Sequence, residues 1–242
     1  MSNLLEQIGD RQVMASVSGG KDSTAMCLHL QELGIPFRPV FMDTGWETAE
    51  TYQYLREYLP ERIGEITWLR SEVELPPELE SIALEYEDRL GHYSAMIRWC
   101  IKKAMFPTRM RRWCTDLLKT KPMREYLLEL DYEPVNAVGV RGAESLSRSK
   151  MPEWEWQDNG VRPNRGYLTG GANRIGCWPC IYAAKKEIHA FSRDEDRVQL
   201  LADLEDTITK VFRERKIAKG EEPKYLFSGW FQNPAPKPDP VT

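Results

Sequence analysis

Long apolar runs are missing from this 242-residue chain. No stretch of roughly eighteen apolar residues occurs, so nothing in it reads as a membrane-spanning helix. The first ten residues lack the basic-then-apolar form of a secretory leader, and the expectation is a cytoplasmic protein. Histidine is scarce: His29, His92 and His189 are scattered and form no ligand pattern. No internal repeat is visible, which excludes a solenoid. There is one CxxC pair, Cys177-Trp178-Pro179-Cys180, where a zinc ribbon would carry two, and no cysteine follows it. Five cysteines in a reducing compartment point to metal binding or catalysis rather than to disulfides.

The stretch that organises the rest is Ser18-Gly19-Gly20-Lys21-Asp22-Ser23. An apolar run, Val13 to Val17, precedes it, and an apolar-periodic run, Ala25, Met26, Leu28, Leu30 and Leu33, follows. That order reads as strand, tight turn, helix. Paired glycines let successive N–H groups face one cavity. The helix end adds its dipole, Lys21 a full charge, and Ser18 and Ser23 hydroxyl donors. Such a turn binds phosphate. It is not a Walker loop, which needs four residues between its first glycine and the Gly-Lys pair.

The chain around it alternates strand and helix. Strands are expected over 14–17, 37–42, 65–69 and 135–140, with helices over 22–33 and 47–59. Thr44 or Gly45 is expected near the second helix's N-cap. This predicts an α/β fold with a doubly wound, mostly parallel sheet and a helical, cysteine-containing extension. Ligands of such sheets lie at the carboxyl ends of the strands. Residues 18–23 and Asp43-Thr44-Gly45 occupy two of these ends, and Gly139-Val140-Arg141-Gly142 a third. The expected organisation is a nucleotide-binding domain over 1–148, with a helical insertion at 71–130. A second part, 149–242, holds the CxxC loop, C-terminal helices and a proline-rich tail. Residues 149–176 read as loop, 116–130 as a helix interrupted or started by Pro122, and 181–215 as mostly helical. Ser192 or Asp194 is expected to start the longer half of that last stretch.

The net charge of −4 hides an asymmetry. Residues 47–89 carry twelve acidic and four basic side chains, and residues 98–124 nine basic and one acidic. The basic block could dock an anion through Arg109, Arg111, Arg112, Lys119 and Lys121. It also contains Cys100 and Cys114, with thirteen residues between them. With Cys177 and Cys180 they could hold a [4Fe–4S] cluster or a zinc ion, or be separate reduced thiols. Trp99, Trp113 and Trp178 adjoin these cysteines and would shield such a site from water. Cys27, in apolar company on the first helix, reads as a small core residue.

Taken in order, Ser18 to Ser23, Asp43-Thr44-Gly45, Arg112-Trp113-Cys114 with Lys119 and Pro122, Gly139-Val140-Arg141 with Glu144-Ser145, and Gly176 to Cys180 resemble one family. It is the phosphoadenosine phosphosulfate (PAPS) reductase superfamily of PP-loop ATP pyrophosphatases. The likeness covers about residues 12–190. It extends to phage and bacterial members and to the ATP pyrophosphatase component of DNA phosphorothioation systems. The resemblance implies that ATP binds on residues 18–23, that its adenosine lies near 41–44, and that pyrophosphate leaves as AMP passes to a substrate oxygen. It implies Mg²⁺ on Asp22 or Asp43, with Lys21, Asp22 and Arg141 as catalytic groups. A sulfur-carrying cluster would sit on Cys100, Cys114, Cys177 and Cys180. Implied partners are nucleic acid or another polyanion and a cysteine desulfurase or other sulfur donor; a homodimer is allowed, and no membrane is involved. Two departures stand out. Reductases of the family carry a catalytic cysteine in a C-terminal tail, and the stretch 154–162 is short. Reduction of PAPS itself is one alternative. A nucleotide-sensing binding module with a structural metal is another.

Overall fold

The computed structural model describes residues 8–139, 176–183 and 185–223. Strands β1 (Val13–Val17), β2 (Phe37–Asp43), β3 (Thr67–Arg70) and β4 (Val135–Val138) form a four-stranded sheet in the order β3-β2-β1-β4. All three pairings are parallel, with Val13 opposite both Phe37 and Val135. Alternation along the strands decides the two faces. Val13, Ala15, Val17 and Phe41 pack on one side with Cys27, Leu28 and Leu30 of helix α1 (Lys21–Glu32). Met14, Val40 and Met42 pack on the other with Met123. Burying each of these larger side chains contributes about 1.5–3 kcal/mol. Helices on both faces of a parallel sheet make the doubly wound arrangement read from the sequence.

Helix α1 ends where expected: Gly34 has φ +67° and its N–H donates to the Gln31 carbonyl at 2.9 Å. The second helix differs. Its N-cap is Thr48, whose hydroxyl accepts from the Thr51 amide at 3.2 Å, so α2 (Ala49–Gln53) starts later than Thr44 or Gly45. The physical reason is that the intervening turn is occupied by other contacts, described below. The chain then widens into a π-helical turn, Tyr54–Tyr58, before α3 (Pro60–Ile63) and β3.

A helical layer covers the carboxyl side of β2. It comprises α4 (Pro77–Leu90), α5 (Ala95–Lys103) and α9 (Glu195–Ala218). They close on one core of Trp46, Ala83, Tyr86, Ile97, Ile101, Phe106, Leu118, Leu201, Leu204 and Ile208. Ser94 caps α5 by accepting from the Ile97 amide at 3.3 Å, and Asp194 caps α9 by accepting from the Arg197 amide at 3.1 Å. Arg98 does not join a docking face. It is buried, with Nε 2.8 Å from Glu87 Oε1 and Nη2 2.7 Å from Glu80 Oε1, and so ties the acidic stretch to the basic one.

The helix expected over 116–130 is present as an unbroken helical run with a π-helical stretch inside it: α6 (Trp113–Thr115), a π-helical turn over Asp116–Thr120, and α7 (Lys121–Leu128) with Pro122 in its first turn. The Lys121 amide bonds back to the Asp116 carbonyl, so Pro122 lies where the wider π-helical turn passes into α7. Helix α8 (Lys185–Phe191) leads to α9. Of the loop expected over 149–176, only Gly176 is described, and the proline-rich tail lies outside the described residues.

Candidate functional site

The 18–23 loop closes on itself before it can close on a ligand. The Ser18 amide donates to Ser23 Oγ at 3.1 Å, and the Ser23 hydroxyl donates to the Gly20 carbonyl at 3.0 Å. Ser23 is therefore a brace of the loop rather than the outward donor expected from the sequence. Ser18 Oγ lies 3.2 Å from Ser23 Oγ. Gly19 stands at φ +69°, and a Cβ there would sit 3.2 Å from Thr51 Cγ2. Gly20 caps α1, and the Thr24 amide closes the first turn onto the Gly20 carbonyl at 3.1 Å. Lys21 is exposed at the helix mouth. The sheet's switch point falls here: β2 and β3 extend to one side of β1 and β4 lies on the other. Gly139, just past β4, lies against the loop. A Cβ on it would be 2.8 Å from the Asp22 carbonyl oxygen and 2.9 Å from Ser23 Cα. Arg141, expected on this same edge, lies outside the described residues.

The end of β2 is built around a buried carboxylate that sequence reasoning passed over. Glu47 is 2% exposed. Thr44 Oγ1 lies 2.9 Å from each of its carboxylate oxygens, the Trp46 amide donates to it at 3.2 Å, and the Tyr52 hydroxyl oxygen lies 3.2 Å away. Burial pushes its pKa up, and the nearby Lys119 charge pulls it down. Asp43 Oδ1 accepts from the Gly45 amide at 2.9 Å and from the Tyr52 hydroxyl at 2.7 Å. Thr44 is thus fully buried and committed to Glu47 rather than to a nucleotide. Phe41 and Met42 are core residues, so Asp43 is the side chain this strand end offers to solvent. Gly45, at φ +68°, lets the turn pass close to the chain at Tyr93 and Ser94. A Cβ there would stand 2.4 Å from Ser94 Cα.

The CxxC turn docks on this same end. Cys177 bridges to Glu47, its Sγ 3.7 Å from both Thr44 Oγ1 and Glu47 Oε1, and the Trp178 amide donates to the Trp46 carbonyl at 2.7 Å. Arg197 of α9 fastens the junction. It donates to the Glu47 carbonyl at 2.7 Å, and its guanidinium lies 5.5 Å from the Trp46 ring centre and 5.3 Å from that of Trp178. Cys100, Cys114 and Cys177 pack on the helical core. Burial raises the Cys100 and Cys114 thiols and pushes Cys177 up to about 12. The Lys119 ammonium is held above its usual range by Cys177 first, and also by Glu47, Cys180 and Cys114, against desolvation. Lys119 therefore faces the thiols and not the open wall expected of it. Trp178 is buried as expected; Trp99 is half-buried, its Nε1 donating to Ser71 Oγ at 3.1 Å.

The cysteines expected to hold a cluster thus share one neighbourhood with a balancing cation. Yet among the described residues no three His, Cys, Asp or Glu side chains stand as a metal site. As placed, the thiols do not make a metal centre. Cys27 is fully buried in the α1 core, as expected, and burial pushes its thiol up to about 12. Arg109, Arg111, Arg112 and Lys121 are exposed. Lys121 lies 3.6 Å from Glu125, and Arg109 Nε donates to the Ile181 carbonyl at 3.2 Å. The basic surface therefore adjoins the CxxC turn. No helix among the described residues is long and apolar enough to cross a membrane.

Comparison with known proteins gives one family model, the phosphoadenosine phosphosulfate reductase domain, matching residues 12–164. An uncharacterised 37.8 kDa protein of Escherichia phage 186 is 28% identical, over 83% of this chain and 76% of that protein. Two uncharacterised proteins of Methanocaldococcus jannaschii are each 25% identical, over 80% and 72% of this chain. The matches span 41% and 43% of those longer proteins. A PAPS reductase from Candida auris, solved as a phosphate complex, is similar with TM-score 0.45 and 16% identity. That match covers 69% of this chain and 82% of that one.

Proposed function

The chain belongs to the phosphoadenosine phosphosulfate reductase family, and from that premise we propose that it is an ATP pyrophosphatase that adenylates a substrate oxygen and supports sulfur transfer to nucleic acid. Family membership supports nucleotide binding and sulfur-related chemistry; the choice of ATP and the acceptor are the proposal. The observation that carries it is the glycine loop between β1 and α1, set at the sheet's switch point with Gly139 against it.

In this reading the triphosphate lies on the 18–23 amides at the positive end of α1. The substrate oxygen attacks the α-phosphorus, and pyrophosphate leaves with its electron pair. Lys21 meets the charge that builds on that leaving group. Asp22 or Asp43 would hold Mg²⁺, which would neutralise phosphate charge when bound. Asp43 is suited to this, since two donors fix its carboxylate. Arg141 is assigned to the α-phosphate. Arg109, Arg111, Arg112 and Lys121 would hold the polyanionic acceptor beside the CxxC turn, and a sulfur nucleophile would then displace AMP. A [4Fe–4S] cluster on Cys100, Cys114, Cys177 and Cys180 would require the thiols to rearrange from the placement described. Iron and sulfide analysis after anaerobic purification decides that point, and no step above depends on it.

Chromatography of the products from ATP, with a nucleic-acid acceptor present, tests the reading. AMP and pyrophosphate are expected. Lys21→Ala should slow their release about 30- to 800-fold, the loss of one electrostatic donor worth about 2–4 kcal/mol. Unchanged release in that variant would remove Lys21 from the site. Reduction of PAPS is the second reading, and the family name favours it. Sulfite formed from PAPS with thioredoxin, without ATP cleavage, would establish it instead. A protein that binds ATP and turns over neither substrate would be a nucleotide-sensing module.

A further inference from the structure

Between Phe106 and Trp113 the chain makes a tight turn that no step above uses as a shape. The Arg111 amide donates to the Thr108 carbonyl at 3.1 Å, and the Thr108 amide donates to the Arg111 carbonyl at the same distance. The Arg111 amide also reaches Thr108 Oγ1 at 3.0 Å. Arg109 and Met110 form the tip. Met110 is 93% exposed, the largest exposure among the described large apolar residues. A single exposed apolar side chain needs no explanation by itself. Its frame is what sets this one apart. Arg109, Arg111 and Arg112 surround it in sequence and are exposed. None of the three pairs with a carboxylate among the described residues, and no acidic residue occurs from Ile101 to Thr115. The turn is also held stiffly. Phe106 and Pro107 are buried on one side, and Leu118 is buried beyond the other. Arg109 bonds the Ile181 carbonyl, and its guanidinium lies 6.0 Å from the Tyr182 ring centre.

We propose that this turn is a wedge for duplex DNA, with Met110 entering between base pairs from the minor groove while Arg111 and Arg112 hold the flanking phosphates. An apolar tip carried by arginines on a stiff support is what unstacking a base step requires: charge to hold the backbone and a small apolar group to replace the lost stacking. The inference rests on the proposed nucleic-acid acceptor and gives it a form, a deformed duplex presented next to the CxxC turn.

The test uses the full chain and a 20-bp fluorescent duplex with one 2-aminopurine. Binding should weaken as salt rises from 50 to 200 mM, by about 12- to 40-fold for two or three phosphate contacts. Arg111→Ala and Arg112→Ala should each reduce that factor about threefold. Binding should raise 2-aminopurine emission as the base unstacks. Met110→Ala should keep the salt dependence and lose most of the rise; at so exposed a position, folding is not at risk. A rise unchanged in Met110→Ala overturns the wedge. So does equal affinity for a single strand or for anionic phospholipid vesicles. If the protein cleaves ATP but binds no duplex, this inference falls and the nucleotide reading stands. Met110-dependent unstacking without ATP cleavage supports the wedge and overturns the other reading.

Discussion

Replacing Gly139 by alanine places one methyl group where the sheet meets the phosphate loop. Its Cβ would sit 2.8 Å from the Asp22 carbonyl oxygen, 2.9 Å from the Asp22 carbonyl carbon and 2.9 Å from Ser23 Cα. These are backbone atoms, so no side chain can swing aside. The start of α1 must move, or β4 must. Overpacking of this kind costs about 1–3 kcal/mol, a fall of roughly 2–12 °C in Tm for a chain of this size. The effect on function should be larger. A displacement approaching 1 Å at a positioning group costs about 100-fold in rate. Gly34→Ala is the matched control. It stands at φ +67° with nothing within 4 Å of its Cβ, so it loses about 1–2 kcal/mol to left-handed strain and moves nothing at the site. Urea melts and pyrophosphate release should show both variants destabilised and only Gly139→Ala impaired in turnover. Equal turnover in the two would refute the reasoning, as would Gly139→Ala with wild-type stability and rate.

Arg98→Ala should cost about 3–5 kcal/mol in urea unfolding, because it leaves the buried Glu87 without its guanidinium; a loss under 1 kcal/mol would mean that water reaches the pair. Gly45→Ala should be the most damaging glycine change, about 2–5 kcal/mol from its clash with Ser94 and its positive φ together, read as loss of soluble folded protein. The Cys27 thiol, raised to about 12 by burial, keeps its proton in the folded state. Its contribution to stability is therefore full below the ordinary thiol pKa and is lost as pH rises from there toward 12. Cys27→Ala should remove that part of the alkaline decline, and native Cys27 should resist thiol reagents at pH 8; rapid labelling would contradict its placement.

Local signals carried much of this. The run Val13 to Val17, the Gly19-Gly20 turn and the apolar spacing after it specify β1, the loop and α1 from neighbours in sequence alone. Of the two starts the sequence offers for the last helix, Ser192 and Asp194, the second is the cap. What could not be read depends on partners far along the chain. Glu47 looks like a surface residue at a helix start. Its cover is completed by Cys177, Trp178 and Arg197, which arrive from 130 residues away or more. Arg98 and Lys119 were counted in one basic block. Glu80 and Glu87 draw the first into the core, and the second is half-buried near the thiols and Glu47. Charge counts along a sequence do not distinguish a solvated face from a set of buried pairs. Met110 had no apolar period to mark it, and its exposure follows from the turn at Thr108–Arg111.

The central claim is that an adenine nucleotide rests its phosphates on residues 18–23. The most direct measurement is an amide NMR titration with ATP and Mg²⁺ on isotope-labelled protein. Saturable shifts are expected at Gly19, Gly20, Lys21 and Gly139, weakened strongly in Lys21→Ala while the core amides of β1 stay in place. Saturable binding that leaves those four amides unmoved, or no binding at millimolar ATP, would contradict the claim.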